Sequence, residues 1–182
     1  MNTKFRDVLR EVAALIGDIN SVFNVVAKLK DHSDDLVADL TKALDDADSS
    51  VQAAAAFSLG HLFYVLWPEV IDASSSIPKL LTLIDDDDPR VRFETTRAAA
   101  VLQVGGRCRL TDEQIVEVYL RCLESGDSRL KIEVAGQLRG IVPAAIAALP
   151  TLSRLIQHVE AAVAQAARDA IDEIRLCQCH LS

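Results

Sequence analysis

Apolar and polar positions along this chain fall into one spacing that recurs four times. Leu40, Leu44, Asp48, Val51 and Leu59 are matched by Leu80, Ile84, Asp88, Val91 and Ala99. The spacing returns at Tyr119, Leu123, Asp127, Leu130 and Leu138, and again at Leu152, Ile156, Glu160, Val163 and Ile171. In each unit apolar residues stand 11 and 7 positions before a Val or Leu anchor, an acid stands 3 before it, and another apolar residue 8 after. The anchors lie 40, 39 and 33 residues apart. Self-similarity at such a period marks stacked repeats, each burying its apolar face against its neighbours.

Every unit divides into two helices. The spacing predicts a helix A that ends seven residues before the anchor and a helix B that opens at the acid. A carboxylate suits that position because it accepts hydrogen bonds from free backbone N–H groups and meets the positive end of the helix dipole. Pro89, directly after Asp88, fits the first helical position, and Pro78 opens the second helix A in the same way. Thr111 to Gln114 reads as a capping box opening the third helix A. Before the repeats, Phe5, Val8, Leu9, Val12, Leu15 and Ile16 recur at helical spacing, Gly17 and Asp18 interrupt them, and Val22, Phe23, Val25, Val26 and Leu29 form a second helix. Residues 1–32 are therefore a divergent capping pair, 33–176 four repeats and 177–182 a tail, all within one domain spanning 1–182. Longer loops are expected from Trp67 to Ser76 and from Val104 to Leu110.

Composition supports an all-α fold. Half the residues are hydrophobic but only 4% aromatic, so the core is Ala, Leu, Val and Ile, and 5 Pro and 7 Gly fall mostly between periodic segments. Lys and Arg number 19 against 27 Asp and Glu, a net charge of −8. That opposes a phosphate track, and no nucleic-acid partner is expected. It suits a protein partner with a basic surface. The N-terminus lacks a basic stretch followed by an apolar one, so no signal peptide is expected and the chain reads as complete. No apolar run reaches the roughly 20 residues that span a bilayer, so no membrane partner is expected. Four Cys without an export signal imply reduced thiols and a cytoplasmic location.

Two stretches carry a resemblance to a known family. One runs Leu83-Ile84-Asp85-Asp86-Asp87-Asp88-Pro89-Arg90-Val91-Arg92 and continues to Ala98-Ala99-Ala100. The other runs Ala43-Leu44-Asp45-Asp46-Ala47-Asp48-Ser49-Ser50-Val51 and continues through Ala53 to Ala56 and Leu59-Gly60. They resemble the HEAT-like repeat, in the short variety seen in phycobilin-lyase-type proteins. Gln52 stands where that family usually carries Arg, and the last unit is short and lacks the Asp-rich turn. The resemblance implies a right-handed α-α superhelix of about five helix pairs. The short chain and its acidity, with the resemblance beside them, point to a non-catalytic protein-binding module, in its most specific form a small immunity or inhibitor-type protein that sequesters a toxin or enzyme, as some HEAT-like proteins do. The alternative is a lyase-like or accessory subunit handling a tetrapyrrole chromophore. Some HEAT-like folds hold DNA, but here the concave face offers Arg97 and Arg139 against Asp169 and Asp172, too few cations for that role.

Two surfaces are candidates for the partner. At about 100° per residue, positions 0, +4, +8 and +11 from each anchor form the stripe that packs on helix A. The opposite face, which such repeats turn to the concave side, carries Phe57, Tyr64, Phe93 and Ile132 with Arg97 and Arg139. Exposed aromatics and Arg are the residue types that dominate interface hot spots. The second surface is the acidic ridge of Asp45, Asp46 and Asp85, Asp86 and Asp87, continued by Glu124 and Asp127, in equivalent turns. A ridge of that sign steers a basic partner.

Catalytic and metal chemistry find little support. Cys177, Cys179 and His180 are three soft ligands without a second pair, short of a structural zinc site, and no metal or cofactor is expected. Cys122 beside Leu123 reads as a small buried hydrophobe. His61 lies outside any nucleophile-elbow spacing, and no phosphate loop or dinucleotide fingerprint is present.

Overall fold

The computed structural model describes residues 2–16, 18–65, 72–102 and 110–181. Among these residues there are ten α-helices and no strand: α1 (Thr3–Leu15), α2 (Ile19–Lys28), α3 (Leu36–Ala43), α4 (Ser49–Val65), α5 (Ile77–Thr82), α6 (Pro89–Leu102), α7 (Asp112–Ser125), α8 (Ser128–Leu138), α9 (Leu149–Leu155) and α10 (Ala161–Leu181). Short 3-10 turns precede α5 at Ser74–Ser76 and α9 at Ala144–Ala148, and another follows α2 at Leu29–His32. The expected loops at 67–76 and 104–110 lie mostly outside the described residues.

Local chemistry sets the helix starts as the spacing predicts. Asp48 accepts from the Ser50 amide at 3.1 Å, Asp88 from those of Arg90 at 2.8 Å and Val91 at 3.3 Å, and Asp127 from Leu130 at 2.7 Å. Each carboxylate satisfies amides that the first helical turn leaves unpaired. Gln114 donates its amide to the Thr111 hydroxyl while its own side chain receives the Thr111 amide, closing the capping box at α7. A second acid two residues earlier staples the turn: Asp46 accepts from the Asp48 amide at 3.0 Å and Asp86 from the Asp88 amide at 2.9 Å.

The chain divides into two compact units, Met1–Arg109 and Leu110–Ser182. In the first, α4 is the hub and packs on α1, α2, α3 and α6. Its residues from Ala53 to Gly60, with Val51 and Leu62, are buried, so α4 has no polar face over that stretch. An all-round apolar helix needs cover on every side, and those neighbours supply it. Gly60 makes the closest approach possible, since a Cβ there would stand 3.0 Å from Ala98 Cα on α6. In the second unit α8 packs on α7 and α10, and α9 packs on α10.

The anchor stripe is core in both units. Val51, Ala55, Leu59 and Leu62 on α4, Val91, Thr95 and Ala99 on α6, Leu130, Val134 and Leu138 on α8, and Val163, Ala167, Ile171 and Ile174 on α10 are all buried. Leu102 and Ile141, at the far end of their stripes, are half-buried. Cys122 is buried on α7 as expected.

Candidate partner-binding surface

The face of α4 and α6 expected to line a concave groove is largely closed. Phe57 is 4% exposed and Phe93 is 0% exposed, so the expectation of two open rings is corrected. Phe57 is covered from three sides. Phe23 of α2 lies 6.5 Å away between ring centroids, His61 stacks on it at 4.2 Å and 16°, and the Arg97 guanidinium sits over it at 5.0 Å. Phe93 lies under the same guanidinium at 5.5 Å, with Arg90 at 5.9 Å. The side chain of Tyr64 lies outside the described residues.

What remains accessible is a narrow cleft between α4 and α6, lined by Phe57, Gly60, His61, Glu94, Arg97 and Val101. It is too narrow to seat a water molecule. Glu94 is its buried floor at 0% exposure. The Arg97 guanidinium donates to Glu94 at 2.5 Å and Arg90 at 3.4 Å, three and four residues away along the helix. With 16% of its side chain exposed, Arg97 is held by an ion pair on one side and two aromatic faces beneath. Such a cation loses little freedom when a partner docks on it.

His61 completes the cleft. Its Nδ1–H donates to the Phe57 carbonyl at 2.7 Å, which fixes the ring over Phe57. Burial pushes its pKa down to about 4, and the positive charge of Arg97 adds to the effect, against the opposing pull of the Phe57 carbonyl. At neutral pH the stack therefore contains a neutral imidazole.

Ile132 and Arg139 belong to the second unit. Ile132 is half-buried on α8, and Arg139, which follows α8, is exposed and paired with Glu173 of α10. On α10 the corresponding face is open: Gln165, Asp169 and Asp172 are exposed, and Leu176 is 64% exposed.

The acidic turns split into inward and outward residues. Asp46 is clasped by Arg6 of α1 at 2.9 and 2.6 Å, and that hydrogen-bonded guanidinium holds its carboxyl below the usual range. Asp48 is also lowered, chiefly by the Ser50 hydroxyl. Asp86 is spent on its turn. Asp45, Asp85 and Asp87 are exposed, with Asp45 paired to Lys79 of α5. The expected ridge is thus half framework and half surface.

No group of three or more metal-ligating side chains converges among the described residues. Cys177 is half-buried on α10, and the side chains of Cys179 and His180 lie outside the described residues. No helix among the described residues is long and apolar enough to cross a membrane.

Sequence reasoning named Phe57, Phe93 and Arg97 but missed Glu94, His61 and Phe23 as parts of the same cluster. The Arg90-Glu94-Arg97 spacing on one helix was the readable signal for the ion pairs. The contribution of Phe23 has no local signal, because it comes from a helix more than thirty positions away.

Residues 37–103 match the family model of HEAT repeats. The matched segment covers almost all of α3 and the whole of α4, α5 and α6, and so contains every residue that lines the cleft, while Phe23 lies before it. HEAT repeats are generally protein-interaction modules. Comparison with curated proteins and with solved structures gives no match.

Proposed function

We propose that this chain is a non-catalytic protein-binding module whose contact surface is centred on the mouth of the α4–α6 cleft, at Arg97, His61 and Val101. The observation that carries the reading is Arg97 itself, fixed between buried Glu94 and the rings of Phe57 and Phe93. A buried ion pair adds little net stability over an apolar pair of the same volume, so its use lies in placing the guanidinium. Preorganised Arg beside aromatic rings is the composition of an interface hot spot. The narrowness of the cleft favours contact with a protein surface over capture of a small substrate at this place.

The partner is a protein with basic surface around an acidic contact point. Asp45, Asp85 and Asp87 give the turn edge of the same unit a negative field, and the net charge of −8 extends it. The most specific form is an inhibitor or immunity-type protein that sequesters its target in a cytoplasmic setting. Ile132 and Arg139 mark a separate contact patch on the second unit.

A photo-crosslinking residue placed at position 101 tests the reading against the same residue placed at Glu117, which is exposed on α7. The expected result is a discrete protein adduct from position 101 and none from 117. Equal labelling from both positions would overturn the placement.

A further inference from the structure

Phe23, Phe57, His61 and Arg97 form a continuous stack across three helices. Phe23 on α2 meets Phe57 at 6.5 Å and His61 at 5.5 Å, both tilted by just over 40°. Phe57 and His61 are adjacent turns of α4, stacked at 4.2 Å. Arg97 of α6 closes the far side. The stack is thus the described aromatic contact between the N-terminal helix pair and the hub helix. One of its rings is titratable, and it stands next to a permanent cation.

We propose that this stack is an acid-released latch holding α2 against α4. The imidazole packs as an aromatic ring while it is neutral. Protonation places a second positive charge beside Arg97 within an aromatic cluster, where neither charge is well solvated. Lifting α2, and Phe23 with it, lets water reach the imidazolium and relieves that cost.

Among the described residues, the charged side chains placed about His61 come from α6 and α2. From α6 the side chains near it are Arg97 and Glu94, which line the same cleft, with Arg90 on the far side of Glu94. Arg92 of the same helix turns away to the carbonyls of Asp86 at 2.7 Å and Asp87 at 3.0 Å. From α2 the charged residue is Lys28, which is drawn to Glu11 of α1 at 3.3 Å. Glu94 is itself shared between Arg90 and Arg97.

α1 is held differently, and the difference makes the latch selective. Arg6 and Arg10 reach Asp46 and Asp48 at 2.6 and 3.4 Å, and both carboxyls lie below the ordinary value of 3.8. Those clasps persist while His61 titrates between about 6.5 and 4. On acidification α2 is released first, and α1 stays pinned until the carboxylates protonate.

Hydrogen exchange of the backbone amides, followed from pH 7 to pH 4 and corrected for intrinsic rates, tests it on the full chain. With a pKa of 6.5 in the released state and about 4 in the docked one, protection at α2 is expected to fall by roughly 100-fold between pH 7 and pH 4, with protection at α4 and α6 kept. His61→Gln and His61→Phe, both neutral at every pH used, are expected to abolish the fall. Phe23→Ala is expected to leave α2 unprotected already at pH 7, with no acid step. Retained α2 protection in the wild type at pH 4, the same fall in both His61 variants, or simultaneous loss across α2, α4 and α6 would each overturn the proposal.

Discussion

The hydroxyl of Ser49 donates to the carboxylate of Asp88 at 2.8 Å. Ser49 is the first residue of α4 and Asp88 caps α6, so the bond ties the start of one helix B to the start of the next. The second unit repeats it, with Ser128 at the start of α8 donating to Glu160 just before α10. At the equivalent place on α6 stands Pro89, which has no hydroxyl to give. Asp88 thus serves two functions, capping its own helix and receiving the previous one.

Asp88→Ala removes the cap and the acceptor of Ser49 together, and is expected to cost about 1–2 kcal/mol. Asp87→Ala, one residue earlier and exposed, is expected to stay within about 0.5 kcal/mol of the wild type. Urea unfolding of the two variants checks the contrast.

Two glycines on equivalent helices separate packing from propensity. Gly60→Ala drives a Cβ to 3.0 Å from a backbone atom of α6, so strain is expected to outweigh the roughly 1 kcal/mol gain in helix propensity. Gly136 on α8 faces open space, and Gly136→Ala is expected to stabilise by about 0.5–1 kcal/mol. Thermal melts of both, with opposite signs of shift, are the measurement.

Phe93→Ala is expected to cost about 3–5 kcal/mol, because the ring is wholly buried. Glu94→Ala leaves Arg97 and Arg90 beside an empty site and is expected to cost on the order of 3 kcal/mol. Glu94→Ala and Arg97→Ala together are expected to cost less than the sum of the two, as a double-mutant cycle in denaturant will report.

The helices, their caps and the packing stripe were legible in the sequence because each depends on neighbours within about a dozen residues. Asp48, Asp88, Asp127 and Thr111 cap where the spacing put them, and Val51 to Leu62 pack as projected. The candidate site was legible only in part. A helical projection gives the direction of Phe57 and Phe93 but not what stands there, and Phe23 and Arg97 close over rings that the projection left open. The acids show the same limit. One turn holds Asp45 exposed and Asp46 clasped, and Arg6, forty residues away, decides the difference.

Acid stability separates two groups by their windows. Asp46 has a depressed folded pKa, so its contribution is present above 3.8 and is lost as pH falls through the lower folded value. Arg6→Ala is expected to flatten the stability curve below about pH 4. His61 takes up its proton less readily folded than unfolded, so its effect runs from 6.5 down to about 4. His61→Gln is expected to flatten that higher window and leave the lower one unchanged, as denaturant midpoints across pH will show.

The most direct test of partner binding at the cleft is the dissociation constant of the crosslinked partner for the wild type, Val101→Glu and Asp112→Lys. Val101→Glu changes the charge at the cleft mouth while Glu94, Arg97 and both rings stay in place, and Asp112 lies exposed at the start of α7 in the other unit. The expected result is at least a tenfold weaker complex for Val101→Glu, with Asp112→Lys near the wild type and all three melting alike. Equal affinity for the wild type and Val101→Glu, with the fold intact, would contradict binding at the α4–α6 cleft.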